Sequence, residues 1–297
     1  MPGEFLPQLP NLQELALCVS CHGEEEAEHI NQLYGVRNVL KKLKLKDWSL
    51  DNMTRLSTQM FQHLLLLEDI DLSYNGISDE TGSGFVRGLG SCQNLKKVNF
   101  SHNKLSDRGD FLPPLPNLEG INLSHNAISD ETVPGLANGL GSCQNLKKVD
   151  LSQNKLSDVG ELTKAFINLD ILTLVYIDNN SLSDESLPTI AAWLKVRTDV
   201  EVVNLFNNRF SAEGVRDFVR TMKGKAYDWF SDDLLYDGSQ ADVGVSVGSG
   251  GEDVWREEQQ WERLRSETGL IRVEVRQLTV WMDHKGRSSN DTQLVSD

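Results

Sequence analysis

Residue types that could bind a metal occur near the start of the chain. Cys18, Cys21 and His22, with His29 downstream, offer the thiol and imidazole ligands that zinc prefers. A structural zinc site needs four ligands within tetrahedral reach, and no second CxxC or HxxxH segment is present to complete one. The two cysteines are therefore interpreted as thiols of an atypical first repeat, and no metal site is predicted.

Groupings that could support catalysis are not evident in the sequence. The 6 histidines do not cluster with a serine or cysteine nucleophile and a carboxylate, and there is no nucleophile elbow or paired-carboxylate motif. The sequence also has no GxxxxGK[ST] phosphate loop, so nucleotide binding is not supported. We therefore predict no enzymatic activity, no catalytic residues and no cofactor.

The charge of the chain restricts its partners. Lys and Arg number 29 against 44 Asp and Glu, and the net charge of -15 is repelled by nucleic-acid phosphates and anionic membranes. Neither is predicted as a partner. No apolar run approaches the roughly 18 residues of a spanning helix. The first residues carry no secretory signal and the 4 cysteines are too few for a disulfide scaffold, so a cytoplasmic location is expected.

The chain repeats, and the repeat predicts the fold. The segment Leu89–Val98 recurs unchanged at Leu140–Val149. The shorter template LxxLxLxxNxL fits eight times, with the asparagine present in the last six copies, and the copies begin at residues 12, 40, 67, 95, 118, 146, 172 and 200. These observations predict an α/β solenoid of about eight leucine-rich repeats, with a curved parallel sheet inside and helices and irregular segments outside.

The template has a physical explanation. Apolar residues at its fourth and sixth positions alternate with polar ones, which is the period of a half-buried strand. The asparagine falls where the chain leaves the strand, so Asn103, Asn126 and Asn154 are predicted to satisfy turn backbone groups. The Ser-Asp pairs that follow, such as Ser129-Asp130, are predicted helix N-caps. Three prolines within 111–116 predict that the step from residue 95 to residue 118 has no full helix.

At this level the sequence resembles a known family. The turns and the steps of roughly 28 residues are similar to the ribonuclease-inhibitor-like class of leucine-rich repeats. Asp71–Asn75 and Asn122–Asn126 most resemble the C-terminal repeats of NOD-like receptors, over about residues 10–224. The resemblance implies non-catalytic recognition of a protein ligand on the concave face, in ligand sensing or autoinhibition of a cytosolic innate immune receptor or a receptor-derived fragment.

The side chains expected on the concave face define a candidate site. Lysine pairs and acidic residues alternate in successive coils at the second and third template positions, which predicts a ladder of exposed ion pairs. The third, fifth and seventh positions should face outward, and in the last two coils they turn apolar and aromatic. We predict a protein-binding site of Leu174, Tyr176, Asp178, Val202, Asn204 and Phe206. The alternative is that the C-terminal segment folds back and covers them.

Two other functions are compatible with the repeat class. Ran-type GTPase-activating proteins resemble it and carry acidic tails, and residues 228–262 hold ten acidic side chains against one basic, Arg256. No residue here matches a catalytic arginine loop. A ribonuclease-inhibitor-like decoy would suit an acidic chain, because its enzyme partner is basic, but the cysteine richness typical of that inhibitor is missing.

The chain is predicted to divide into four parts. The solenoid occupies residues 1–224, and an acidic and glycine-rich loop or linker occupies 225–251. Residues 252–283 are predicted to form a cap or appended element, since the last coil of a solenoid otherwise exposes its core. Residues 284–297 are predicted to be a disordered tail. The sequence does not determine the oligomeric state.

Overall fold

A single sheet runs through the molecule. The computed structural model describes residues 11–18, 37–46, 61, 63–106, 112–197, 199–223, 271–275 and 278–282. Within them ten strands lie side by side in chain order. The strands are β1 Glu14–Cys18, β2 Lys42–Lys46, β3 Asp69–Asp71, β4 Lys97–Asn99, β5 Gly120–Asn122, β6 Lys148–Asp150, β7 Leu174–Tyr176, β8 Val202–Asn204, β9 Ile271–Val275 and β10 Leu278–Met282. Strands β1 to β8 are parallel and correspond to the eight predicted coils, which confirms the α/β leucine-rich-repeat solenoid.

The register of the sheet follows the template. The fourth template position of each coil lies directly beside that of the next, so that Ile121 pairs with Val149 and Val149 with Val175. These three side chains are at most 2% exposed. They belong to one continuous apolar core, which removes equivalent leucines, isoleucines and valines of successive coils from water. Stacking, rather than any single coil, therefore provides the core.

The template asparagines connect neighbouring coils. The Asn154 Nδ2 group donates to the Leu123 carbonyl of the preceding coil at 3.0 Å and to two carbonyls of its own turn. Its Oδ1 accepts the Ile128 amide at 3.0 Å. Asn103, Asn126, Asn180 and Asn208 make the same kind of bonds. The predicted structural role of these asparagines is confirmed, since each satisfies backbone groups on two coils.

Helices occupy the outer side of the long coils. They are α1 Asp79–Leu89, α2 Val133–Gly141, α3 Gly160–Phe166, α4 Leu187–Val196 and α5 Ala212–Lys223, with a short 3-10 turn at Asp184–Ser186. The described part of the short coil, residues 112–118, contains no helix, in agreement with its prolines. Helix α2 approaches this extended segment closely. A Cβ at Gly139 would lie 2.9 Å from the Leu112 carbonyl oxygen, so only glycine fits there.

The predicted N-caps are wrong for three helices. Helices α2, α3 and α4 begin at Val133, Gly160 and Leu187, later than the Ser-Asp pairs, and none of their N-cap residues makes a side-chain cap bond. The aspartate instead reaches the equivalent serine of the next coil. Asp130 accepts the Ser157 amide at 2.8 Å and also its hydroxyl. Asp79 and Asp184 make the same pair of bonds to Ser106 and Ser211. These aspartates therefore link coils rather than cap helices.

The sheet continues beyond the last leucine-rich coil. Strand β9 pairs in parallel with β8, and β10 pairs antiparallel with β9. Both strands lie within 252–283, the range predicted as a cap, and the boundaries of the four predicted parts stay a prediction. The linker range 225–251 and the tail range 284–297 lie outside the described residues.

Candidate functional site

The outward face of the strands carries side chains that do not belong to the apolar core. The fifth template position carries aspartate or asparagine in β3 to β6 and in β8, and its Oδ1 accepts the backbone amide two residues on, at 2.9–3.1 Å. The seventh position was predicted to face outward, but Ser73, Ser101 and Ser124 are at most 6% exposed. The reason is that the chain turns at the next residue, which has a positive φ in every coil from Tyr74 to Asn207.

The predicted ladder of ion pairs is present at the second template position, where Lys96 binds Glu68 at 2.7 Å and Lys147 binds Glu119 at 2.8 Å. At the third position the neighbours Asp69 and Lys97 form no ion pair. A further pair, at the fifth position, joins Lys44 to Asp71 at 3.1 Å. The hydrogen bonds from Lys96 and Lys147 lower the pKa values of Glu68 and Glu119. These groups are exposed, so the pairs contribute little to stability, but they fix which charges remain available for a ligand.

The predicted protein-binding residues gather at the C-terminal end of the face. Leu174, Tyr176, Asp178, Asn204 and Phe206 are all half-buried in neighbouring coils. The Lys148 ammonium lies 4.8 Å from the centroid of the Tyr176 ring, a cation-π contact that orients the ring. Val202 does not fit the prediction of an accessible contact, because it is only 8% exposed. Its strand is flanked on both sides, by β7 and by β9, and the second neighbour comes from a distant part of the sequence.

Asp178 has an unusual environment for a carboxylate. Burial raises its pKa, and the neighbouring negative charge of Asp150 acts in the same direction. Opposing these effects, the Asn179 side chain donates to its Oδ2 at 2.6 Å and His125 favours the charged form. Asp178 thus offers a partly desolvated acceptor beside the ring of Tyr176.

A row of stacked rings lies where the strands end, at Tyr74, His102 and His125. The sequence did not predict this stack. The rings of Tyr74 and His102 stack at a centroid distance of 3.9 Å, and those of His102 and His125 at 3.8 Å. The Lys46 ammonium lies 4.4 Å from the centroid of Tyr74. All three ring residues have left-handed backbone, with φ of 53–60°. Equivalent template positions in successive coils were the signal that could have predicted this stack.

The stacked imidazoles predict a pH dependence of stability. The pKa of His102 is lowered in the fold by burial first, then by His125 and Lys46. The unfolded chain therefore binds more protons at this histidine than the folded chain does, so stability rises with pH and is lost as pH falls below about 6.5. We expect the urea midpoint to drop between pH 7.5 and 5.5 by less in a His102→Asn variant, because asparagine has no group that titrates in this range. Asparagine is chosen because it also accepts a left-handed backbone. An equal drop in both proteins would contradict this assignment.

Other chemically capable groups are structural. Cys92 and Cys143 are buried free thiols. Burial raises the pKa of Cys92 to about 12 and that of Cys143 in the same direction. Within the described residues no three His, Cys, Asp or Glu side chains are grouped so as to hold a metal ion. Cys21, His22 and His29 lie outside those residues.

No helix in the described part of the chain is long and apolar enough to cross a bilayer.

Comparison with known proteins agrees with this architecture. The family model described as "Leucine Rich repeat" matches residues 63–86, 91–109 and 142–160. Together with the eight stacked coils, this match shows that the chain forms a leucine-rich-repeat domain. No match was found among curated proteins.

Similar solved structures include two internalins from Listeria monocytogenes. Internalin C2 is 22% identical, with a TM-score of 0.48, covering 69% of this chain and 76% of its own. Internalin InlF is 21% identical, with a TM-score of 0.43 and coverages of 69% and 64%. A chain from a TLR13–ssRNA13 complex is 19% identical, with a TM-score of 0.49, covering 69% of this chain and 30% of its own. None of these likenesses identifies a ligand for this chain.

Proposed function

We propose that this chain is a non-catalytic recognition module that holds a protein ligand on the outward face of its parallel sheet. The proposal rests on the part of that face formed by β7, β8 and the residues that follow them. There Tyr176 and Phe206 remain half-buried in adjacent coils, although the core is already complete beneath them. Partly exposed aromatic side chains beside a polar rim are typical of the central contacts of protein interfaces.

The polar groups around these rings support the same function. Asp178 and Asn204 provide acceptors and an amide at the border of the two rings, and Lys148 approaches Tyr176 from the neighbouring strand. A ligand can therefore exclude water from the rings while its own polar groups find partners at the rim. A net charge of -15 opposes nucleic acid as the ligand.

The finer proposal is a place in innate immunity. The resemblance of Asp71–Asn75 and Asn122–Asn126 to NOD-like receptor repeats supports ligand sensing or autoinhibition in a cytoplasmic receptor. Coding sequence for a phosphate loop adjoining this domain in the native transcript would support that origin. An adjoining transmembrane or secretory segment would contradict it.

The binding site is tested by changing the two rings. We expect a Tyr176→Asp/Phe206→Asp double variant to lose at least about tenfold of the affinity for any specific partner of the wild-type chain, equivalent to about 1.4 kcal/mol or more. Partners are identified by quantitative mass spectrometry after affinity capture and their affinities measured by calorimetry. Leu65→Asp/Leu66→Asp is the matched control, since these side chains are exposed and lie away from the outward face. An unchanged partner set and an unchanged stability of the ring variant would refute the site.

A further inference from the structure

The charge alternation along the outward face is interrupted at one position. The third template positions of β3 to β6 lie side by side in the order Asp69, Lys97, Gly120 and Lys148. The alternation of signs would place a carboxylate between the two lysines, and the sequence has glycine there instead. With strands about 4.8 Å apart, the two lysine-bearing strands lie about 10 Å from each other across the glycine.

The two lysines interact with neighbouring groups without forming an ion pair: Lys97 acts on Glu119 by charge, and Lys148 lies over the Tyr176 ring. Neither Lys97 nor Lys148 makes an ion pair within 4 Å in the described residues, although six other lysines do. Asp69 lies beside Lys97 in the sheet without such a pair. The carboxylate of Glu119, next to the glycine in sequence, is held by Lys147 at 2.8 Å. Both lysine side chains are exposed.

Two amide donors also face this position. Asn99 and Asn122 follow Lys97 and Gly120 by two residues, so they share the outward face. The Oδ1 atoms of both accept backbone amides, at 3.0 and 2.9 Å, which leaves the Nδ2 groups as donors without a partner in the described structure. Above the glycine there is open space, since a Cβ built on it would meet only the Lys148 Cβ, at 4.0 Å.

We propose that this lysine notch, formed by Lys97, Gly120, Lys148 and the amides of Asn99 and Asn122, binds an aspartate or glutamate side chain of the protein ligand. The proposal rests on the proposed recognition function and names the chemistry of the partner. Two ammonium groups and two amide donors match the acceptor oxygens of a carboxylate, and the glycine leaves room for the side chain that carries it. The acidic side chain of the partner lies above Gly120, the position at which the alternation of charges would have placed a carboxylate of this chain.

The notch is tested with an acidic peptide on the full chain. The probe is N-acetylated hexaglutamate amide at about 0.15 M ionic strength, where the repulsion from the net charge of -15 is largely screened. It is titrated by calorimetry, with hexaglutamine as the neutral comparison. We expect hexaglutamate to bind and hexaglutamine not to bind. A Gly120→Glu variant supplies the carboxylate within the chain and should weaken hexaglutamate binding at least about tenfold. Gly120→Gln has the same size without the charge and should weaken it much less, because its amide still donates to a carboxylate.

Charge removal provides a second pair of variants. Lys97→Gln/Lys148→Gln should abolish hexaglutamate binding, whereas Lys104→Gln/Lys155→Gln removes equal charge outside the strands and should not. Binding that is absent in the wild-type chain, or unaffected by Gly120→Glu, would overturn the proposal. The proposal would also be overturned if inorganic phosphate displaced the peptide at a lower concentration than glutamate does. If a partner depends on Tyr176 and Phe206 but binds Gly120→Glu normally, the recognition function stands and the notch does not.

Discussion

Replacement of Asn180 by leucine is expected to lower the free energy of unfolding by about 3–5 kcal/mol. The asparagine is 9% exposed, donates to the Leu151 carbonyl of the preceding coil at 3.0 Å and accepts the Leu156 amide at 3.0 Å. Leucine has the same branching but no polar group, so these interior backbone groups lose their partners. Urea unfolding followed by circular dichroism measures the change.

Asn168→Leu is the matched control for this experiment. Its side chain is exposed and makes one hydrogen bond, to the Lys164 carbonyl at 3.3 Å. Water replaces that bond in the variant, and we expect a change within about 0.5 kcal/mol. Equal losses in the two variants would mean that the asparagine bonds between coils do not stabilise the stack.

Truncation of Leu151 to alanine is expected to cost about 2–5 kcal/mol of unfolding free energy. The side chain is fully buried in the middle of the apolar core, with coils packed on both sides, so the cavity cannot be filled by movement of a chain end. Leu66→Ala removes the same atoms from a side chain that is 42% exposed and should cost less than about 1 kcal/mol. A cost for Leu151→Ala as small as that of Leu66→Ala would show that this coil does not depend on the shared core.

Interactions within the repeat could be predicted from the sequence. The alignment of Ile121, Val149 and Val175 follows from a period-two pattern repeated at equivalent template positions, and the bonds of Asn154 follow from its place after the strand. The pairing of Lys96 with Glu68 follows from opposite charges on adjacent strands. Each of these contacts is fixed by local geometry that recurs in every coil.

Contacts that depend on the turn geometry or on a distant segment could not be predicted. The burial of Ser101 depends on the left-handed backbone of His102, and the template does not reveal this conformation because its eighth position accepts any residue type. The burial of Val202 accompanies a strand that begins at residue 271. Arg197 is only 5% exposed and donates to the Phe166 carbonyl at 2.6 Å, whereas its sequence neighbourhood predicts an ordinary surface charge.

The recurrence of Leu89–Val98 at Leu140–Val149 has a consequence for how such a gene changes length. The two segments enter β4 and β6 at equivalent points of the sheet, because Lys97 and Lys148 occupy the same strand position. Recombination between the two copies would excise a whole pair of coils and join one intact turn to another. The shortened product would keep a continuous core, while the glycine between the two lysines would be lost. Binding specificity in this molecule can therefore change by the gain or loss of whole coils, because each shortened or lengthened chain keeps a continuous core.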